Sequence, residues 1–241
     1  MRLADQTILI TGSAKRIGRS LALAAASEGA NIIIHHNQSR SEALDLQKHI
    51  QNLDRQATIF QGDFSTPDDT REFAETVFSS FQVDAVVNNA SIFTDFRWDT
   101  TTVEEWTRHQ NVNLLAPFLI SQAYARSLLP DKKGRIINML DWRALRPGPD
   151  HLPYTISKAG LASLTKSLAI SLAPSICVNG IALGAILPPS DGGDVEDLVS
   201  YLPIPRWADI KELEATFIFL LTGPDYVTGE IIHLDGGRHL I

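Results

Sequence analysis

The chain has 241 residues, 44% of them hydrophobic and 20% charged, the balance of an ordinary globule with one core. Its size suits a single α/β domain burying about 70–75% of its unfolded surface, so residues 1–241 are read as one unit. The net charge of −7 argues against nucleic acid or an anionic membrane as main partner, and a single cysteine, Cys177, excludes an internal disulfide and fits a reducing compartment. No secretory leader pattern and no run of about 18 apolar residues is visible, so the expected location is the cytoplasm.

From the N-terminus, Thr7–Ile10 is a short apolar run, expected as a buried parallel strand. Thr11-Gly12-Ser13-Ala14-Lys15-Arg16-Ile17-Gly18 follows, and then Leu21, Ala22, Ala25 and Ala26 in a helical stretch. Strand, glycine-rich turn and helix form the dinucleotide-binding arrangement: glycines let backbone approach a pyrophosphate, and the helix N-terminus stabilises its charge. Glycines that merely cap a turn are the bland alternative. Further strands are expected at Asn31–His35, Ala57–Phe60, Ala85–Asn88, Arg135–Met139, Ile176–Ile181 and Ile231–Leu234. Between them Ala43, Leu46, Ile50 and Leu53 step at helical spacing, as do Phe73, Val77 and Phe81 behind the cap and first-turn proline Thr66-Pro67. Thr101-x-x-Glu104 reads as a capping box before another helix. Leu161, Leu164, Leu168 and Leu172 form the apolar stripe of the helix that starts near Tyr154.

This alternation predicts a Rossmann-type α/β fold: a doubly wound, seven-stranded parallel sheet with helices on both faces. Ligands then bind beyond the carboxyl ends of the strands. The irregular segment 184–207, with Pro188-Pro189 and Gly192-Gly193, is expected to be a lid over that end, a plain surface loop being the alternative.

Tyr154 and Lys158 are four apart and share a helix face. A lysine ammonium beside a phenol favours the phenolate, so the pair is expected to lower the tyrosine pKa toward the range a proton donor needs. A lone Tyr-x-x-x-Lys is a weak signal; Asp141 upstream and the glycine turn give it weight.

With these residues in view, the chain resembles the short-chain dehydrogenase/reductase family over essentially its whole length. Thr11-Gly12-x-x-x-Arg16-x-Gly18, Asp63, Asn88-Asn89-Ala90, Asn113, Tyr154-x-x-x-Lys158 and Asp235-Gly236-Gly237 carry the likeness. Within the family it is most similar to the pteridine reductase branch, where arginine takes the middle glycine position of the turn and aspartate replaces the serine ahead of the tyrosine. Arg16 and Asp141 are those residues, and Asn89-Ala90-Ser91-x-Phe93 looks like the pterin-stacking segment. Gly62-Asp63-Phe64-Ser65-Thr66 and the ending Arg238-His239-Leu240 resemble the bacterial dihydromonapterin reductases. Two positions depart: Leu183-Gly184 stands where the family has Pro-Gly, and Asn37 and Gln38 stand where parasite-type enzymes have histidine and arginine.

The resemblance implies a cofactor set of Gly12, Lys15, Arg16, Ile17, Gly18, Asp63, Phe64, Asn89, Ala90, Lys158 and Gly184. In it Asp63 meets the adenine amino group and Lys158 the nicotinamide ribose. A strand-end cap is the alternative for Asp63, and a helix-interior amide is the alternative for Asn113, otherwise the holder of a water next to Lys158. The choice of NADPH over NADH rests on the residues themselves: His35-His36-Asn37-Gln38-Ser39-Arg40 has no acid to bond the ribose hydroxyls. Ser39 with Arg40 or Arg16 suits a 2′-phosphate through charge-assisted hydrogen bonds. His35 and His36 receive no role, and no metal site is expected.

Asp141 shifts the expected substrate from a ketone to a pterin, because a carboxylate disfavours a developing alkoxide and suits N–H donors or a ring nitrogen awaiting a proton. The expected reaction passes hydride from NADPH to the carbon of a ring C=N bond. The pterin lies between the nicotinamide and Phe93, contacts Ser91 and Arg16, and Asp141 and Tyr154 deliver protons as a coupled pair. Dihydromonapterin or dihydrofolate is the expected substrate. A ketone reductase of the 3-oxoacyl or sugar type and a catalytically idle NADP-binding sensor are the competing readings. Trp142 and Arg143 receive no role, and a homotetramer is expected by resemblance alone.

Overall fold

In the computed structural model, which describes residues 1–188 and 199–241, seven parallel strands lie in the order β3-β2-β1-β4-β5-β6-β7. They are β1 (Thr7–Ile10), β2 (Asn31–His36), β3 (Ala57–Gln61), β4 (Ala85–Asn88), β5 (Gly134–Asp141), β6 (Ile176–Leu183) and β7 (Ile231–Leu234). The helices are α1 (Arg16–Ser27), α2 (Arg40–Gln51), α3 (Pro67–Ser80), α4 (Val103–Gln110), α5 (Ala116–Ser127), α6 (Leu152–Leu172) and α7 (Ile210–Thr222). This is the expected doubly wound α/β sheet. Part of the expected lid, residues 189–198, lies outside the described residues.

Alternation along each strand divides the core into two layers. Ile8, Ile10, Ile32 and Ile34 pack with Leu21, Leu46 and Phe217 of α1, α2 and α7. Leu9, Ile33 and Val86 face the other way, toward Phe73, Ile120 and Ala169 of α3, α5 and α6. Strand order reverses between β1 and β4, where Ile8 pairs with Ala85 and Ile10 with Val87. A crevice opens above such a switch point, and the site lies there.

Three local expectations are corrected. β5 and β6 run two residues further than the apolar runs suggest, because Leu140 pairs with Ala182 and Asp141 with Leu183; Asp141 is therefore the last residue of a strand. The cap of α4 is Thr102, whose hydroxyl accepts the Glu105 amide at 3.3 Å, whereas the Thr101 hydroxyl donates to the Arg97 carbonyl at 2.6 Å. The buried face of α6 is Leu161, Ala162, Thr165 and Ala169, with Leu164, Leu168 and Leu172 only half-buried. Small residues on that face let the helix approach the sheet. The cap at Thr66 with Pro67 in the first turn is as expected, and Cys177 is buried.

Candidate active site

The glycine-rich turn leaves β1 with Gly12 at φ +62 and enters α1 with Arg16 at φ +51. The left-handed value at 16 gives the reason glycine is usual there: a side chain at that backbone conformation is strained. Arginine tolerates it here with its guanidinium donating to the Pro188 carbonyl at 2.8 Å. Gly18 has no room for a side chain, since a Cβ would lie 2.3 Å from the Gly12 carbonyl oxygen and 2.7 Å from the Asn89 amide nitrogen. Asn89 in turn donates to the carbonyls of Thr11 (2.9 Å) and Gly12 (3.1 Å). The Thr11 hydroxyl accepts the amides of Asn89 and Ala90 at 2.9 and 3.0 Å. The cradle is thus built by the side chains just past β1 and β4.

A cavity of about 530 Å³ spreads from this turn to Tyr154. Gly12, Lys15, Arg16, Ile17, Gly18, Asp63, Phe64, Asn89, Ala90, Ser91 and Phe93 all line it. The glycine-rich turn and the start of α1 at one end of it fit a dinucleotide laid across the strand ends. Ser39 and Arg40 stand outside the lining, at the start of α2; Asn37, Gln38 and Arg108 reach it instead. Gly184 is also outside, and its missing side chain has another cause: a Cβ would lie 2.5 Å from the Asp235 Cα. The β6 exit is therefore packed closely against the Asp235 turn. Asp63 accepts the Ser65 amide at 2.9 Å, the capping role weighed for it, while still facing the cavity.

At the other end of the cleft the Tyr154 hydroxyl donates to Asp141 Oδ2 at 3.0 Å, and Asp141 Oδ1 accepts the Arg143 amide at 2.9 Å. One carboxylate oxygen thus caps the turn Trp142–Ala144, and the other meets the phenol. Lys158 is nearly fully buried, donates to the Met139 carbonyl at 2.7 Å, and lies 5.7 Å from the Tyr154 ring centre. Burial pushes the lysine down to about 8, against the attraction of Asp141. The expected lowering of the tyrosine pKa is overturned. Burial raises it well above 10, and the charge and hydrogen bond of Asp141 raise it further. The ammonium sits beside the ring, bonded to a carbonyl, and not at the hydroxyl. A reaction that needs the Lys158 charge next to Tyr154 loses rate as pH rises through about 8. A pH profile of kcat/KM that stays flat to pH 9.5 would contradict that dependence.

Asn113 sits in a π turn, Asn111–Leu115, between α4 and α5. Its side-chain oxygen accepts the Ile92 amide (2.9 Å) and the Ser91 hydroxyl (3.1 Å); its nitrogen donates to the Ile92 carbonyl and the Ser157 hydroxyl, each at 3.0 Å. All four hydrogen-bonding positions of the amide are used. The Asn113 side chain thus acts as a clamp that fixes the Ser91–Phe93 segment against α6. Phe93 at the end of that segment is 56% exposed. It stacks on His151 (centroids 4.0 Å, 19° between planes) and meets the Tyr154 ring edge-on at 4.7 Å. Two guanidiniums lie over the Trp142 ring, Arg143 at 4.7 Å and Arg238 at 4.0 Å, and Arg143 pairs with Asp150 at 2.6 Å.

Sequence reasoning assigned no site role to Thr11, His35, His151 or Arg238. For His35 a signal existed, since a histidine inside an otherwise apolar strand needs partners for two ring nitrogens. Nothing in the local sequence places His151 on Phe93 or Arg238 on Trp142. Among the described residues no group of three His, Cys, Asp or Glu could hold a metal ion, and no helix is long and apolar enough to cross a membrane.

The family described as enoyl-(acyl carrier protein) reductase matches residues 12–239. The chain is 30% identical over 240 residues to a 3-oxoacyl-[acyl-carrier-protein] reductase of Synechocystis sp., covering 98% of this chain and 97% of that one. It is 35% identical over 244 residues to a 2-dehydro-3-deoxy-D-gluconate 5-dehydrogenase of Bacillus subtilis, covering 98% and 95%. Among solved structures, FolM alternative dihydrofolate reductase 1 from Brucella canis, complexed with NADP, superposes with a TM-score of 0.91 at 33% identity, over 100% of this chain and 97% of that one.

Proposed function

This chain belongs to the short-chain dehydrogenase/reductase family, and we propose that it is an NADPH-dependent reductase of dihydropterins. Dihydromonapterin is the first candidate substrate and dihydrofolate the second. The observation that carries this reading is the 3.0 Å bond from the Tyr154 hydroxyl to Asp141, where the usual family member has a serine. The likeness to a FolM dihydrofolate reductase supports it as well.

When bound, NADPH supplies the hydride. The chain's residues supply position and protons. Tyr154, kept protonated by burial and by Asp141, donates to the ring nitrogen beside the carbon being reduced. The Asp141 carboxylate accepts N–H groups from the heterocycle and, after Tyr154 has given up its proton, relays one taken up from solvent back to the phenolate. Phe93, braced by His151 and by the Asn113 clamp, offers a plate for the flat ring. The exposed Ile170 and Phe219 are consistent with the homotetramer that completes this reading.

The cofactor choice has its own test. No acid stands between His36 and Arg40, and among the described residues Arg40 has no ion-pair partner. A charge-assisted bond to a 2′-phosphate, roughly 1.5–3 kcal/mol, gives kcat/KM for NADPH about 10- to 100-fold above NADH. Comparable values for the two cofactors would reject it.

The curated relatives favour a second reading, a 3-oxoacyl reductase. The carboxylate of Asp141 weighs against it, because a negative charge 3.0 Å from the proton donor repels a ketone oxygen that is becoming an alkoxide. NADPH oxidation followed against dihydromonapterin, dihydrofolate, a 3-oxoacyl thioester and a keto sugar separates the readings. Turnover of the ketones alone rejects the pterin proposal.

A further inference from the structure

We infer that His35, at the end of β2, is a positioning residue for the cofactor: its ring ties the glycine-rich turn to the loop after β3 and so preforms the adenine half of the cleft. The side chain is 2% exposed and makes two bonds in opposite directions. The Gly12 amide donates to Nδ1 at 2.9 Å, and Nε2 lies 3.1 Å from the Gly62 carbonyl. A backbone amide only donates and a carbonyl only accepts, so one neutral tautomer satisfies both, with the hydrogen on Nε2. The ring plane lies flat on Phe64 (centroids 4.3 Å, 6°) and meets the edge of Phe73 at 4.9 Å. The backbone of the same residue is stitched to the turn: its amide donates to the Ser13 hydroxyl at 3.1 Å, and its carbonyl accepts the Ser13 amide at 3.0 Å.

Four groups that line the cavity therefore take their places from one ring: Gly12, Gly62, Asp63 and Phe64. A further consequence concerns the phosphates. The Gly12 amide is already committed to His35, so the amides left to meet a pyrophosphate are those at the start of α1, from Arg16 to Gly18. Burial holds the imidazole neutral, down to about 4, with His36 opposing and Asp63 favouring its charge; the tautomer therefore persists across the working pH range. Preorganisation of this kind lowers the cost of binding without touching the chemical step.

The inference rests on the cofactor half of the proposed function and is independent of the substrate. Binding of NADPH is measured by titration calorimetry at pH 7 on wild type, His35→Phe, His35→Asn and His35→Gln, with melting temperatures alongside. Phenylalanine keeps the stack on Phe64 and loses both bonds, so Kd is expected to rise about 10-fold or more. Asparagine places an acceptor where Nδ1 stood and is expected to recover most of that loss. Glutamine reaches toward Gly62 only and is expected to bind more weakly than asparagine. A purely structural role would lower the melting temperatures and leave Kd of the folded variants unchanged, and that result overturns the inference. Equal Kd for the asparagine and glutamine variants overturns it too, and this comparison stands even where His35→Phe does not fold. Wild-type protein that fails to bind NADPH overturns the cofactor reading along with it.

Discussion

Replacing Asp141 with asparagine, or Tyr154 with phenylalanine, is expected to lower kcat for dihydropterin reduction by on the order of 10²-fold or more, within the range of general acid catalysis. The two variants attack one bond from its two ends, the 3.0 Å contact between the Tyr154 hydroxyl and Asp141 Oδ2. Asp141→Asn keeps an oxygen for the Arg143 amide, so the turn after β5 retains its cap while the acceptor of the phenol proton loses its charge. Tyr154→Phe removes the proton itself. Neither side chain belongs to the turn that cradles the dinucleotide, so Kd for NADPH is expected to stay within about threefold of wild type, a change of less than about 1 kcal/mol. The two losses are also expected to be non-additive, because groups that act as a unit fail as a unit. Steady-state kcat at saturating NADPH and substrate checks this for both singles and the double variant. Near-full rate in either single removes the proposed acid pair.

Gly18→Ala is expected to be the most damaging change in the cofactor half. Its Cβ would lie 2.3 Å from the Gly12 carbonyl oxygen, 2.7 Å from the Asn89 side chain and 2.8 Å from the Ser13 Cα. Two of those atoms are backbone, and Asn89 is held by its bonds to Thr11 and Gly12; relief must come from moving α1 off the turn. Overpacking of this kind costs roughly 1–3 kcal/mol or more, a fall in melting temperature of several degrees for a chain this long. The amides at the start of α1 would leave their places, and Kd for NADPH is expected to rise by about 10²-fold, since each lost charge-assisted bond is worth roughly 1.5–3 kcal/mol. Gly148→Ala is the matched control. The close neighbour of its Cβ is the Asp150 carboxylate, a side-chain end that can shift at the cost of its pairing with Arg143 and without moving α1, so Kd for NADPH should barely move. Unchanged NADPH binding by Gly18→Ala would show that the turn is not the cofactor cradle.

The seven strands were legible because each is a short apolar run bounded by polar or glycine residues. Their ends were not: Leu140-Asp141 and Ala182-Leu183 extend β5 and β6 through pairing with each other, a long-range fact that neither run reveals alone. Of the site, the segments that carry glycine-turn and Tyr-Lys spacing could be read directly, and twelve of the expected residues share one cavity, Tyr154 among them. What stayed hidden depends on where side-chain ends point. Helical spacing puts Lys158 on the Tyr154 face, yet the Met139 carbonyl takes its ammonium, while burial and then Asp141 raise the phenol instead of lowering it. Asn113 fits the family position, yet its amide is spent on Ile92, Ser91 and Ser157. His35 looked like packing because its partners, Gly12 and Gly62, come from two other strand ends. The close packing of Gly184 on Asp235 stayed hidden because the two lie far apart along the chain.

The central claim is that a carboxylate bonded to the proton-donating phenol selects a nitrogen heterocycle over a ketone. The most direct measurement is kcat/KM of the wild-type protein, at saturating NADPH, for dihydromonapterin beside a 3-oxoacyl thioester. A ratio of about 10² or more in favour of the dihydropterin, equivalent to roughly 3 kcal/mol of transition-state discrimination, is the expected result. Faster turnover of the thioester, with dihydromonapterin inert, would contradict it.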